Sequence, residues 1–386
     1  MRPRIVLRLA ALAAALALAP LHAAPPARIV AVGDVHGAAD TFASILRRAG
    51  LINDRQRWTG GKAVLVQTGD VMDRGTGVRA IFDLLMALEP QAASAGGRVQ
   101  AVMGNHEAMN LLGITRDTSP ETFASFADAR SETRRERAFD AALKQRKDLD
   151  KAAWMAAHPP GYIEYRDAIG PNGRYGKWLR AKPVLVEIGG TVFMHGGINP
   201  AFSNDTLDGI VRRAKGELAE WDAAVRWMEG GKLILPFSTF AEIGEAAQAE
   251  LTRLVAAKKE RDLTEEEMAA AKRLLTVAEV GTSSLVHRDG PLWFRGFATW
   301  SDAEGSAPMP ALLQKYGVKR FVTGHTPQPG RITTRFNGAV FLIDTGILGG
   351  TFFPNGRPSS LEIAGENVTA VYEDGRVPQV ATAVVK

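Results

Sequence analysis

Five short stretches of this 386-residue chain set a histidine, aspartate or asparagine beside glycine. They are Gly33-Asp34-Val35-His36-Gly37, Gly69-Asp70-Val71-Met72-Asp73-Arg74-Gly75, Gly104-Asn105-His106-Glu107, His195-Gly196-Gly197 and Gly324-His325. Aspartate carboxylates, an asparagine carbonyl and imidazoles make a mixed oxygen and nitrogen donor set. The chain has no cysteine, so a thiolate site, a disulfide scaffold and a cysteine nucleophile are all excluded. Such a set suits manganese, iron, zinc or nickel better than calcium. A shared aspartate can bridge two cations and offset their mutual repulsion. Two metals about 3.5–4 Å apart can hold the attacking water and the leaving oxygen of a phosphate ester, and they make hydroxide available near neutral pH.

These stretches need strands to aim them. Arg28–Val32 is an apolar run ending at Gly33, and Ala63–Gln67 and Arg98–Met103 are two more. Between them lie helical patterns, one with Phe42, Ile45, Leu46 and Ala49 on one face and Gly50 as its stop, the other over Val78–Leu88. Alternating strands and helices predict an α/β core with partly parallel strands. Ligand sites in such cores form where strands end. Strand character returns at Val184–Ile188, Thr191–Met194, Arg320–Thr323 and Ala339–Ile343. A hairpin-like tail follows through Asn367–Tyr372 and Val377–Val385, turning at Asp374-Gly375. Residues 118–157, 206–228 and 239–278 are charge- and alanine-rich and helical in pattern. There are no repeats. The organisation expected is one catalytic domain over residues 25–386, with helical insertions at about 111–180 and 201–285.

Composition is that of an ordinary globular protein, with 46% apolar and 23% charged residues. The first 24 residues stand apart. Arg2, Arg4 and Arg8 precede the apolar run Leu9–Ala19, and Leu21-His22-Ala23-Ala24 ends in small residues. This is the pattern of a secretory signal peptide, so a periplasmic or secreted location is expected. Removing it takes three positive charges from a net charge of +5, which leaves no basis for a nucleic-acid partner. No later run is long enough for a membrane anchor.

Taken in order, the motifs resemble the metallophosphoesterase superfamily, in its phosphoprotein phosphatase branch. Gly-Asp-x-His-Gly, Gly-Asp-x-x-Asp-Arg-Gly and Gly-Asn-His-Glu are all intact. Met103, before Gly104, departs from the eukaryotic serine/threonine enzymes, which carry arginine there. Pro291-Leu292-Trp293-Phe294-Arg295-Gly296 and Gly324-His325-Thr326 resemble the Shewanella-like protein phosphatases, a mainly bacterial and plant group. The resemblance covers about residues 28–110, 183–200 and 288–350. It implies a calcineurin-like sandwich of two mixed β-sheets flanked by helices.

The same resemblance implies roles for individual residues. Asp34, His36 and Asp70 hold a first metal. Asp70, Asn105, His195 and His325 hold a second. His106 is the general acid, oriented by Asp73, and Arg74 and Arg295 clamp phosphate oxygens. The cofactors implied are two divalent ions, manganese first, with iron, zinc or nickel as alternatives. The residue chemistry agrees. A histidine next to a ligand sits beside the metal without binding it, and a guanidinium matches a phosphate in bidentate fashion. Glu107 reads as turn support, and His158 and His287 read as structural.

The function expected is therefore hydrolysis of phosphate monoesters, with a phosphoprotein or a small phosphate ester as substrate. Two other readings use the same ligands. One is a nucleotide or diadenosine polyphosphate hydrolase or phosphodiesterase. The other is a metal- or phosphate-binding envelope protein without turnover, which would not require His106 beside Asp73.

Overall fold

A computed structural model describes residues 26, 28–202 and 204–379; the segment expected to be a signal peptide lies outside them. The first elements are β1 (Ile29–Val32), α1 (Ala39–Arg48), β2 (Val64–Gln67), α2 (Val78–Ser94), β3 (Arg98–Ala101) and α3 (Asn105–Leu112). A helical segment follows, with α4 (Pro120–Ala124), α5 (Ser131–Gln145), α6 (Lys151–Ala157), α7 (Tyr162–Ile169) and α8 (Arg174–Arg180). Then come β4 (Leu185–Ile188), β5 (Thr191–Met194), α9 (Leu207–Gly230), α10 (Phe240–Glu260) and α11 (Glu265–Ala278). The chain continues with α12 (Gly296–Thr299), α13 (Asp302–Gly305), α14 (Pro308–Tyr316), β6 (Arg320–Thr323), β7 (Thr333–Arg335) and β8 (Val340–Leu342). It closes with β9 (Ser359–Ala364), β10 (Asn367–Tyr372) and β11 (Gly375–Pro378).

The strands build two mixed sheets, ordered β11-β10-β9-β1-β2-β3 and β4-β5-β6-β8-β7. In the first, β1, β2 and β3 run parallel, with Val30 opposite Leu65 and Leu65 opposite Val99. In the second, β5, β6 and β8 are parallel, with antiparallel β4 and β7 on the edges.

Alternation of side chains along each strand divides the interior into layers. Ile29 and Ala31 of β1, Phe193 of β5, Val322 of β6 and Phe341 of β8 fill the space between the sheets. Their neighbours Val30, Val32, Val192, Met194, Phe321 and Val340 point outward and pack under helices. Phe42, Ile45 and Leu46 of α1 and Met309 and Leu312 of α14 pack outside the sheets, in the helix-covered part of the core. Because Phe341 is 1% exposed and sits in the inter-sheet layer, Phe341→Ala should destabilise the protein by about 3–5 kcal/mol in urea titrations. A loss below about 1 kcal/mol would contradict the layer assignment.

Three features differ from the sequence expectation. The helical pattern over 239–278 is broken at 261–264, where Arg261 is extended and Thr264 opens α11 with a capping box to Glu267. Strand β9 begins with Ser359 and Ser360, buried polar residues that hide its apolar alternation; Ser359 Oγ lies 2.8 Å from Thr345 Oγ1. Strand β7 is a three-residue, half-buried edge with no apolar run to announce it.

Candidate active site

Every motif sits at the carboxyl end of a parallel strand. Asp34 follows β1, Asp70 follows β2, and Asn105 and His106 open α3 just after β3. His195 follows β5 and His325 follows β6. The two sheets thus aim their loops at one place.

Those loops are shaped by hydrogen bonds and by unusual backbone. His36, Asp70, Asp73, Arg74 and His325 all have positive φ, between 41° and 68°. Non-glycine residues hold that conformation only where the surroundings impose it. Glu107 supplies much of the constraint. Its buried carboxylate accepts the backbone N–H groups of Asp70 at 2.7 Å, Val71 at 2.8 Å, Met72 at 3.0 Å and Gly104 at 2.8 Å. This confirms its reading as turn support. Gly104 must lack a side chain, because a Cβ there would lie 2.3 Å from Asp70 Oδ1.

At the centre, acceptor atoms converge with no proton between them. His195 Nε2 lies 2.7 Å from Asn105 Oδ1, 3.1 Å from His325 Nδ1 and 3.3 Å from Asp70 Oδ2. The outer nitrogens are already committed. His195 Nδ1 donates to Thr68 O at 2.9 Å, and His325 Nε2 donates to Trp293 O at 3.0 Å. The inner nitrogens therefore present lone pairs. On the other side of Asp70, His36 donates from Nδ1 to Met72 O at 2.9 Å, and its Nε2 faces Asp70 Oδ2 at 3.7 Å. Asp70 thus belongs to two ligand groups, His36–Asp70–His106 and Asp70–His195–His325.

The electrostatics suit cations. Burial holds His36 down to about 3 and His325 well below its usual value, so both are neutral, as ligands must be. Burial, together with Asp344 and Asp70, pushes Asp34 well above the carboxylate range. Crowded buried carboxylates facing bare imidazole nitrogens are stable only with positive charge among them. The donor set therefore fits a pair of divalent metals.

His106 is placed differently. Its Nδ1 hydrogen-bonds Asp73 Oδ2 at 2.7 Å, while Nε2 faces inward, 3.8 Å from Asp70 Oδ2 and 3.3 Å from Arg74 Nη2. Burial opposes its charge, yet Asp70 and the Asp73 hydrogen bond raise it to about 9. The other guanidinium nitrogen of Arg74 contacts His36 Nε2, and the group lies 5.4 Å from the Phe353 ring centre. Arg295 donates to His325 O at 2.8 Å and to Thr326 Oγ1 at 3.1 Å, within the field of Asp34, Asp344 and Asp70.

The structure thus brings together all ten residues singled out from the sequence, with Asp34, His36, Asp70, Asp73, Asn105, His106, His195 and His325 buried. His158 lies elsewhere, stacked on Trp154 at 3.9 Å and bonded through Nδ1 to Trp154 O. Two participants were missed. Asp344, 1% exposed, faces Asp34 and accepts the Gly346 N–H at 3.0 Å. It follows an apolar strand like the others, but Ile343 and Thr345 flank it in place of glycine. Phe353, stacked on His36 at 5.9 Å, has no such signal in its loop.

Residues 27–329 match the family model for calcineurin-like phosphoesterases. The chain belongs to that family. This phosphoesterase is 25% identical over 348 residues to Shewanella-like protein phosphatase 1 of Plasmodium berghei, covering 89% of this chain and 74% of that protein. It is 30% identical over 230 residues to Shewanella-like protein phosphatase 2 of Arabidopsis thaliana, covering 56% and 59%. The crystal structure of a cold-active protein-tyrosine phosphatase from a psychrophilic Shewanella species shares the fold. Its TM-score is 0.58 at 22% identity, covering 92% of this chain and 80% of that one. The phosphoesterase is a metal-dependent phosphatase, and its two mixed sheets flanked by helices are the fold of its family.

Proposed function

We propose that this phosphatase is a dinuclear phosphomonoesterase of the Shewanella-like kind, acting on phosphoproteins, with manganese as its metal. Asp34, His36 and Asp70 hold one ion, and Asp70, Asn105, His195 and His325 hold the other. The observation that carries this reading is the position of Asp70 Oδ2, within 3.3 Å of His195 Nε2 on one side and 3.7 Å of His36 Nε2 on the other. Bound there, two metals supply an activated water and positive charge for the phosphate oxygens.

The chain's own groups do the rest. Asp73 accepts the Nδ1 proton and stabilises the imidazolium of His106, so the second proton, at Nε2, is directed into the pocket, where it passes to the leaving oxygen as the P–O bond breaks. Arg74 and Arg295 bring guanidinium groups to the same opening and orient the phosphate. The ring of Phe353 beside Arg74 suits an aryl leaving group, which supports phosphotyrosine over phosphoserine or phosphothreonine. Arg2, Arg4, Arg8 and the apolar run after them support export to the periplasm or beyond. Among the described residues no helix is long and apolar enough to cross a membrane.

The test is manganese-dependent turnover of 4-nitrophenyl phosphate, bis(4-nitrophenyl) phosphate and a dinucleoside polyphosphate by the purified protein. The monoester should be the fastest. A faster diester or polyphosphate would assign the site to a phosphodiesterase or nucleotide hydrolase. Bound metal without turnover of any of the three would leave a binding protein. Fractionation with mass spectrometry should find the protein outside the cytoplasm and lacking residues 1–24; a cytoplasmic protein that retains them would refute export.

A further inference from the structure

The helical segment between β3 and β4 enters the acid–base pair from beneath. Asp73, the partner of His106, is itself held by three side-chain hydrogen bonds. His106 Nδ1 and Asn110 Nδ2 both reach Oδ2, at 2.7 and 2.9 Å, and Thr118 Oγ1 donates to Oδ1 at 2.6 Å. Asn110 uses its second amide hydrogen on His106 O at 2.9 Å. With both donors spent, its Oδ1 accepts the hydroxyl of Tyr165 from α7. The amide cannot be reversed, since its oxygen would then face the carboxylate of Asp73.

Each member of this chain is buried. Asn110 is 1% exposed and Tyr165 0%. Tyr165 is clamped edge-on by Phe123 and Phe126, each 5.0 Å away between ring centres, so its hydroxyl has a fixed position. The backbone adds a further tie, with Arg74 N–H donating to Asp117 O at 3.2 Å.

We propose that Thr118, Asn110 and Tyr165 are positioning residues for the general acid: the first helical segment sets the orientation of Asp73, and through it the direction of the proton on His106. This rests on the reading of His106 as the acid. The segment is then part of the catalytic apparatus rather than only a cover over it. A hydrogen-bonded shell of this kind governs how well a side chain keeps its productive geometry.

The test uses leaving groups of different basicity in the manganese-loaded full-length protein. Departure of phenolate from phenyl phosphate needs its proton, whereas 4-nitrophenolate leaves readily without one. Thr118→Val and Tyr165→Phe should each slow phenyl phosphate turnover by about tenfold, 4-nitrophenyl phosphate by less than about threefold, with KM unchanged. Thr118→Ser, which keeps the hydroxyl, should restore the phenyl phosphate rate. His106→Asn should show the same bias more strongly. Equal slowing of both esters by Thr118→Val and Tyr165→Phe, or no slowing, beside a steep bias for His106→Asn, would overturn the relay alone. A flat response of His106→Asn would overturn the acid assignment and the relay with it. Circular dichroism melts of each variant, matching the parent, certify that the rates belong to folded protein; a melt that falls in step with both rates would count against the proposal, as a purely structural role.

Discussion

Asp70→Asn should cut kcat by about 10²-fold or more and leave the purified protein with fewer than two metal ions per chain. Asparagine keeps the shape of the side chain and an oxygen to accept the His106 N–H, which now reaches Asp70 Oδ1 at 3.0 Å. The backbone of the loop is held independently, by Glu107. The substitution therefore removes little but a negative charge shared by both ligand groups. Without it, two cations a few ångströms apart repel each other with nothing between them to offset the repulsion. Elemental analysis and phosphate-release kinetics on the same preparation read both effects. Two ions per chain with a near-normal rate would remove Asp70 from the centre of the mechanism.

His106→Asn should cost about 10²–10⁴-fold in kcat while leaving metal content and KM close to the parent values. His106 shares a possible metal-holding group with His36 and Asp70, but its Nδ1 is bound to Asp73, and only Nε2 reaches the pocket. Loss of both metals in this variant would make it a ligand instead. The histidine also ties stability to pH in the metal-free protein. Burial disfavours its charge, but Asp70 and Asp73 raise it to about 9. A raised histidine stabilises the folded state fully below its ordinary value near 6.5 and loses that contribution as pH rises through about 9. Urea midpoints of the metal-free parent should therefore exceed those of His106→Asn at pH 6 by more than at pH 10. An equal gap at both would show that folding does not tighten the hold of the imidazole on its proton.

Much of this was legible before the fold was known. Strand-end aspartates and histidines beside glycine are a local signal. A ligand must sit where a strand stops, and its loop must turn sharply, so Asp34, His36, Asp70, Asn105, His195 and His325 could be read one by one. Asp344 was less legible, because it follows an apolar strand but has Ile343 and Thr345 on either side rather than glycine. Phe353 and Tyr165 were not legible. Each acts through a contact with a residue far away in sequence, Phe353 against His36 and Tyr165 against Asn110, 55 positions earlier. An aromatic residue inside a helix pattern or a glycine-rich loop looks the same whether it fills space or touches a catalytic group. Strand β9 failed for a related reason. Ser359 and Ser360 are buried, but only the finished sheet gives their hydroxyls and backbone a partner.

The residues of the site come from opposite halves of the sandwich. Asp34, Asp70 and Asn105 are carried by one sheet, and His195, His325 and Asp344 by the other. The seam that separates the halves is apolar, closed by Phe193, Val322, Phe341 and their neighbours, and offers little directional resistance to sliding. Ions held from both banks would act as rivets across it. Stripping the metals should therefore lower the melting temperature of the fold as well as abolish turnover.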